Sequence, residues 1–401
     1  MTQDAKTFDR SLSIYSLSSR SRRRTPEELF TELSRDHPVR WDPFASVWLV
    51  SRRAEALTVL TDGRFSATRF DHSTDSAADK LSATVHDAIS RQALFLDGPE
   101  HARWQSILRK TLAKKYIDEM GDWIRLRTTQ LLDAHGEGEA DMLAMLARPL
   151  PLDVVGQLLN LPIAQLPALP AWSDAYTTVV TGFEPTIDPA TYQLVADFLT
   201  YCHRLVDERG HDDTTIETDG TARFVRAALA VGVDDRLTIA SNLMMLISAG
   251  HQTTTGFLAT VIAQHAGGRL SDDEVEKLLV RISPSRFVGR TVLEDLELGG
   301  QQLRAGQSVL VLLAAANWHD SVPVPDSAHL VFGHGKHFCP GAPLARLESQ
   351  IVLKALFDGS RHLEQTQSAC TWNNNVNLPC PVSVPVRIST DDHSSGRTTH
   401  A

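Results

Sequence analysis

Between about Asp235 and Ala266 the chain carries a helical pattern that is apolar nearly all round, centred on Leu243-Met244-Met245-Leu246-Ile247-Ser248-Ala249-Gly250-His251-Gln252-Thr253-Thr254-Thr255. A helix without a polar face belongs inside a fold, so the other elements must be built around this one. Gly250 and the threonine run after it weaken the intrahelical ladder, since hydroxyls and water can enter it. Hydrophobic residues are 42% of the 401, enough for a substantial core. No Pro/Gly/Ser-rich linker or internal repeat divides the middle of the chain, so one large, mostly helical domain is expected.

Local signals fill in the frame. Thr25-Pro26-Glu27-Glu28 is a capping box with proline at the first helical position, predicting a helix through about Arg35. Val39-Arg40-Trp41, Asp42-Pro43 and Val47-Trp48-Leu49-Val50 spell a β-hairpin, and a further helix follows from about Arg53 to Leu60. The stretch from Gly63 to Arg91 is polar and expected to be irregular. Gln307-Ser308 leads into Val309-Leu310-Val311-Leu312-Leu313, a buried strand by its continuous apolar run. Residues 1–24, Ser/Arg-rich from Arg10 to Arg24, are expected to form a flexible arm, residues 25–388 the domain, and residues 389–401 a disordered polar tail.

Composition excludes several functions. Lys and Arg number 39 against 49 Asp and Glu, a net charge of −10 that argues against general nucleic-acid binding. No run of about 18 apolar residues occurs, and the N-terminus lacks a signal peptide's apolar stretch, so no membrane association is expected. Cys202, Cys339, Cys370 and Cys380 lie far apart without metal-site spacing, which fits a reducing, cytoplasmic setting.

One of those cysteines is placed for chemistry. Phe332-Gly333-His334-Gly335-Lys336-His337-Phe338-Cys339-Pro340-Gly341 packs three glycines and a cysteine into ten residues, and Ala342-Pro343-Leu344-Ala345-Arg346-Leu347-Glu348 then starts a helix. Glycines at this spacing let the backbone turn sharply and approach a flat ligand. A thiolate just before a helix is stabilised by the N-terminal dipole and free N–H groups. Those are the needs of an axial ligand to haem iron.

The segment resembles the haem-binding loop of bacterial cytochrome P-450 enzymes, in which Phe-Gly-x-Gly-x-His-x-Cys-x-Gly precedes the helix behind the haem; Phe332, Gly333, Gly335, His337, Cys339 and Gly341 all match. The resemblance covers roughly Thr25 to Ile388. It implies a mainly α fold with small β-sheets around haem b (iron protoporphyrin IX), Cys339 being the iron's axial ligand. Pro340 stands where the family usually has an aliphatic residue and removes an N–H beside the sulfur. For the haem propionates the resemblance implies His101 and Gln105, in Leu96-Asp97-Gly98-Pro99-Glu100-His101-Ala102-Arg103-Trp104-Gln105, together with Arg290 and His337. Gln105 replaces the family's usual arginine.

Ala249-Gly250-His251-Gln252-Thr253-Thr254 resembles the family's oxygen-activation motif, in which the glycine makes room for dioxygen, an acid supplies protons and a threonine hydroxyl bonds the bound oxygen. Here the acid position holds Gln252, which can order water but not ionise. The stretch from Gly63 to Arg91 corresponds to the family's substrate-covering region. Anchored on Ser283-Pro284, the family's Glu-x-x-Arg pair falls on Lys277 and Val280, so the pair is absent in that register, and the connection from Asn317 to Phe332 is about ten residues shorter than usual. Glu276 and Arg281 flank the position without helical pair spacing. Arg103, Arg109, Lys110, Lys114 and Lys115 form a basic stripe, which is either a solvated helix face or, as the resemblance implies, a dock for an acidic ferredoxin. The implied function is a monooxygenase acting on a small hydrophobic or secondary-metabolite substrate, with ferredoxin and ferredoxin reductase as electron donors. Two alternatives stand beside it: other haem-thiolate chemistry (peroxide-driven oxidation, ring formation or rearrangement), and a non-catalytic helper of a partner enzyme.

Overall fold

The structure, a computed structural model, describes residues 9–18, 25–68, 80–162, 167–181, 186–209, 218–271, 274–317, 329–366 and 370–390. Its N-terminal part follows the sequence signals closely. Thr25 Oγ1 accepts the Glu28 N–H at 3.2 Å while the Glu28 carboxylate accepts the Thr25 N–H at 2.8 Å, opening α1 (Pro26–Asp36). The hairpin forms as β1 (Val39–Asp42) and β2 (Val47–Val50), with Trp41 edge-on to Trp48 at 5.5 Å between ring centroids. Then come α2 (Arg53–Thr61) and the short β3 (Phe65–Ser66).

These strands join a five-stranded sheet, ordered β1-β2-β8-β5-β3, with β5 (Val288–Val292) and β8 (Ser308–Val311) at its centre. β8 is the predicted apolar strand, parallel to β2 and antiparallel to β5. It stops two residues earlier than its apolar run because Leu313 already begins α12 (Leu313–Asn317). A hairpin of β6 (Leu296–Leu298) and β7 (Gln301–Leu303) lies between β5 and β8 in the chain. A separate three-stranded sheet brings β4 (Gly138–Asp141), β10 (Pro385–Thr390) and β9 (Arg361–Gln365) together.

The helical mass comprises α3 (Lys80–Ser90), α4 (Gly98–Thr111), α5 (Lys114–His135), α6 (Pro149–Leu159), α7 (Leu169–Thr181), α8 (Pro189–Arg209), α9 (Gly220–Leu229), α10 (Arg236–His265), α11 (Glu274–Ile282) and α13 (Ala342–Phe357). α10 is the predicted buried helix, its N-terminus capped by the Asp235 carboxylate. Its first half, Ile239 to Ile247, packs into a core with Val85, Trp104, Val195, Phe198 and Phe224. Its second half, Phe257 to Ala263, packs into another with Ile124, Leu146, Leu278, Val352 and Leu356. Each large side chain buried this way stabilises the fold by roughly 1.5–3 kcal/mol relative to exposure. α10 is therefore the axle between two cores, which is why it needs no polar face.

Two expectations are corrected. The stretch from Gly63 to Arg91 is not irregular throughout: Lys80–Ser90 is α3, burying Val85, Ala88 and Ile89, while residues 69–79 lie outside the described residues. Nor is the arm loose over its described part. Ser13 Oγ and the Ile14 N–H both donate to the buried Asp42 carboxylate at 2.9 Å, and Leu12, Ile14 and Leu17 share a core with Leu29, Phe30, Leu310 and Leu312. Apolar side chains at positions 12, 14 and 17 win over the surrounding Ser/Arg polarity. Residues 1–8, 19–24, 318–328 and the tail from Asp391 lie outside the described residues. Among the described residues no helix is long and apolar enough to cross a membrane, and the four cysteines are free.

Candidate active site

The cysteine loop is built by its glycines. Gly333 and Gly335 take φ of 72° and 70°, the left-handed region that disfavours side chains. At Gly335 a Cβ would come within 3.0 Å of the Leu60 carbonyl at the end of α2, so the loop presses against that helix. The turn is closed by the Cys339 N–H donating to Phe332 O at 2.9 Å and the Phe338 N–H donating to Gly335 O at 3.2 Å. Cys339 then sits just before α13, where the Gly341 and Ala342 N–H groups lie near enough to favour its thiolate and the Ala342 N–H donates to the Cys339 carbonyl at 3.4 Å. Burial pushes the thiol up, while those N–H groups and the Arg346 charge oppose it. Pro340 cannot donate, and the next two amides take over that task.

A second group gathers beside the loop. Asp97, at the start of α4, accepts from Ser66 Oγ and the Ala67 N–H, and its carboxylate is 3.8 Å from His337 Nε2. Burial raises the Asp97 carboxyl, but the nearby His337 together with the Ser66 and Ala67 bonds outweighs it and holds the group well below the usual carboxylate range. His101, one turn into α4, lies ring against ring with His337 at 3.8 Å. Burial, with His337 and Arg290 nearby, pushes the His101 pKa down to about 4. Gln105 Nε2 is 3.4 Å from His101 Nε2, and the buried Gln105 Oε1 has no hydrogen-bond partner among the described residues. Arg290 arrives from β5, buried, with Nη1 donating to the adjacent Gly289 carbonyl at 2.7 Å. Burial lowers its pKa, with Asp97 as the opposing charge.

This corner thus concentrates His101, His337, Arg290 and Gln105 around a single carboxylate. A guanidinium buried with one anion to share among several donors suits a ligand that brings its own negative charges. The two propionates of a haem meet that need, with the Cys339 sulfur within the same loop. The residues present fit the group.

On α10 the burial is interrupted along the middle of the helix. Ala249 is exposed, and Leu246, Gly250, Gln252 and Thr253 are half-buried, in the middle of a helix otherwise closed on most sides. Positions 246, 249, 250 and 253 share a helical face, so they make an open strip along α10. Thr253 Oγ1 donates to Ala249 O at 2.8 Å. Thr254 turns into the buried face instead. Gly250 has a packing role: a Cβ there would meet Val155 Cγ2 of α6 at 2.7 Å, so the glycine lets two helices approach. Gln252 reaches α7, where Nε2 donates to Asp174 Oδ1 at 2.7 Å and Ser173 Oγ at 3.2 Å.

With that geometry in place, likeness to known proteins is decisive. No family model matches the chain. It is 32% identical over 397 residues to the cytochrome P450 monooxygenase PikC of Streptomyces venezuelae, covering 90% of each chain. The chain belongs to the cytochrome P450 family. Mycinamicin IV hydroxylase/epoxidase of Micromonospora griseorubida is 29% identical over 376 residues, covering 84% of this P450 and 89% of that protein. The fold is shared with P450BioI, solved in complex with an acyl carrier protein carrying hexadec-9Z-enoic acid, at a TM-score of 0.77 and 22% identity over 90% of this chain and 98% of that one. As a cytochrome P450 this protein is a haem-dependent oxidoreductase of the monooxygenase kind, related to bacterial monooxygenases of secondary-metabolite biosynthesis.

Of the residues expected around Cys339, His101, Gln105, Arg290 and His337 lie together in one corner, and sequence reasoning missed two groups elsewhere. Asp174 was not foreseen as the partner of Gln252, and Glu276 was set aside as a flanking residue. Glu276 in fact receives His329 Nε2 and Arg346 Nη2, each at 2.6 Å, whereas Arg281 turns to Gln264 and His265. Neither pairing has a local spacing: Glu276 and Arg346 are 70 residues apart, Gln252 and Asp174 78. On the basic stripe, Arg103, Arg109, Lys110, Lys114 and Lys115 are exposed, with Lys114 held by Asp118 at 2.6 Å.

Proposed function

We propose that the protein inserts one oxygen atom of dioxygen into a small, largely hydrophobic secondary metabolite, using haem b held by Cys339. The substrate, two electrons, two protons and dioxygen would give hydroxylated or epoxidised product and one water. The observation that carries this reading is the Cys339 loop, whose thiolate the Gly341 and Ala342 N–H groups favour, next to a cluster of buried donors short of anions. When bound, the haem supplies dioxygen activation, and a thiolate ligand favours O–O cleavage.

The chain's own residues have distinct tasks in this reading. His101, Arg290 and His337 hold the propionates, and Gln105 contributes a hydrogen bond where a charge is usual. Ala249 leaves the open strip free for substrate and oxygen. The Thr253 hydroxyl, fixed by its bond to Ala249 O, keeps its lone pairs available to a water on that strip. Gln252 orders but does not ionise; the half-exposed Asp174 carboxylate beside it connects that position to solvent. Residues 25–388 form the haem domain, with the segment of Ser13 and Ile14 strapped to it through Asp42. The stripe on α4 and α5 docks an acidic ferredoxin, itself reduced by a ferredoxin reductase, in the cytoplasm.

The test is the spectrum of the reduced, carbon-monoxide-bound protein, with labelled dioxygen as the second arm. A red-shifted Soret band that is lost in Cys339→Ala, and a single labelled oxygen atom in the product of a hydrophobic test substrate, are expected. Haem-free protein, or a band unchanged in Cys339→Ala, overturns the reading. Labelled product driven equally well by peroxide without electron donors would favour peroxide-driven oxidation, the reading that Gln252 suggests.

A further inference from the structure

The Glu276 carboxylate joins three segments. It lies on α11, half-buried at 19% side-chain exposure. Arg346, on the first turns of α13, grips it with Nε at 2.9 Å and 3.1 Å from the two oxygens and Nη2 at 2.6 Å. Such a bidentate fork fixes orientation as well as distance. His329, at the entry to the cysteine loop and 2% exposed at its side chain, places Nε2 2.6 Å from the same carboxylate. The Val331 N–H donates to His329 Nδ1 at 3.3 Å, so Nδ1 is an acceptor and Nε2 carries the proton that Glu276 receives.

What these contacts enclose is the loop itself. The Arg346 guanidinium lies 4.4 Å over the Phe332 ring, and the His329 ring is 5.9 Å from the same ring. Phe332 O in turn accepts the Cys339 N–H at 2.9 Å. From Glu276 to the sulfur there is therefore a continuous path: carboxylate to guanidinium and imidazole, both to Phe332, Phe332 to Cys339. On the same helix, the two positions of the usual pair are otherwise occupied. Lys277 is exposed, and Val280 is a partly buried apolar residue packed against the core of α5, α10 and α13.

We propose that Glu276, with His329 and Arg346, is the positioning cluster that sets the Cys339 loop against the haem, in place of a Glu-x-x-Arg pair at positions 277 and 280. The carboxylate has moved one residue along α11 and acquired a different arginine, one from the helix that follows the ligand. This rests on Cys339 being the iron ligand, and the experiment separates the two. Glu276 touches neither haem nor substrate; it acts through Phe332 and Arg346.

The experiment uses purified holoenzyme of wild type, Glu276→Gln, Arg346→Lys, Cys339→Ala and the control Glu274→Gln on the same helix. Each is reduced under carbon monoxide, the lifetime of the red-shifted Soret band is followed, and the ferric/ferrous potential is measured. Outer partners of metal ligands typically matter by ~10–100-fold. Glu276→Gln should shorten the band's lifetime by about tenfold or more with haem still bound, as the ligand slips from thiolate to a weaker donor. Arg346→Lys, which keeps the charge and loses the fork, should fall between it and wild type, and Glu274→Gln should match wild type. A potential shifted in Glu276→Gln at unchanged melting temperature marks positioning rather than bulk stability. If Glu276→Gln does not fold, Arg346→Lys carries the test. Wild-type lifetime and potential in Arg346→Lys overturn the proposal. Loss of haem or of the thiolate band in Cys339→Ala confirms the ligand, so that a wild-type result in Arg346→Lys then overturns this proposal alone; a band that survives in Cys339→Ala overturns the ligand reading and this proposal with it.

Discussion

Gln252 donates its side-chain amide to the Asp174 carboxylate at 2.7 Å, tying the middle of α10 to α7 through the residue at the acid position of the oxygen-activation motif. The side chain at this position carries no charge, and a carboxylate stands next to it on another helix.

That relationship sharpens what Gln252→Glu should do. The new carboxylate would face Asp174 at hydrogen-bonding distance, and two such groups cannot both ionise freely, so one pKa rises and a proton is shared. A shared proton beside the open strip is a proton source, and general acid catalysis typically contributes about 10²–10⁴-fold. Gln252→Glu should therefore raise product formed per electron pair with a substrate analogue lacking polar groups. Gln252→Glu with Asp174→Asn should keep part of that gain. A fall in coupling with every substrate would show that Gln252 serves to hold substrate or α7.

Arg290 should matter more than its single described bond suggests. Arg290→Gln removes the charge from the donor cluster while keeping a hydrogen-bonding side chain on β5. Haem transfer to an excess of scavenging globin should become about tenfold faster, with Tm of the haem-free protein little changed. Equal transfer rates would remove Arg290 from the propionate set.

Glu348 makes the protein's stability depend on pH. It is 2% exposed on α13, its Oε1 has no hydrogen-bond partner among the described residues, and burial pushes its pKa up to about 8. An unfolded glutamate titrates near ~4.3, so the folded state holds the proton over a range in which the unfolded chain releases it. The raised pKa favours the fold below about pH 4 and costs stability progressively as pH rises towards 8. Calorimetry should show Tm falling over that interval, and a flatter, higher curve near pH 8 for Glu348→Gln. Parallel curves for the two proteins would contradict this.

Restoring the family pair should not help. Lys277→Glu with Val280→Arg would replace an apolar residue packed against the core with a guanidinium, and Glu276 already occupies Arg346 and His329. No gain in Tm or haem retention is expected. A marked rise in both would mean that the site is a decayed lock, with Glu276 a bystander.

The legible parts of this chain were those with local rules. The capping box at Thr25, the Trp41–Trp48 hairpin, α10 and the glycine loop at Cys339 each announce themselves within a few residues of sequence. α3 was legible in principle, since Leu81, Val85, Ala88 and Ile89 recur at helical spacing, but surrounding polarity obscured them. What could not be read was long-range pairing. No period in the sequence joins Glu276 to Arg346 or Gln252 to Asp174, because only the packing of α11 on α13 and of α10 on α7 brings them together. Gly250 illustrates a third limit: a motif position was recognised, yet its missing side chain faces Val155 on α6.

The strap formed by Leu12, Ile14 and Leu17 bears on how this protein can be handled. A version begun at Thr25, as the apparent edge of the domain invites, would strip the cover from Leu29, Phe30, Leu310 and Leu312 and leave the Asp42 carboxylate without Ser13 and Ile14. Such a trimmed protein would carry a wet, adhesive patch beside its main sheet, and its poor yield would have nothing to do with haem.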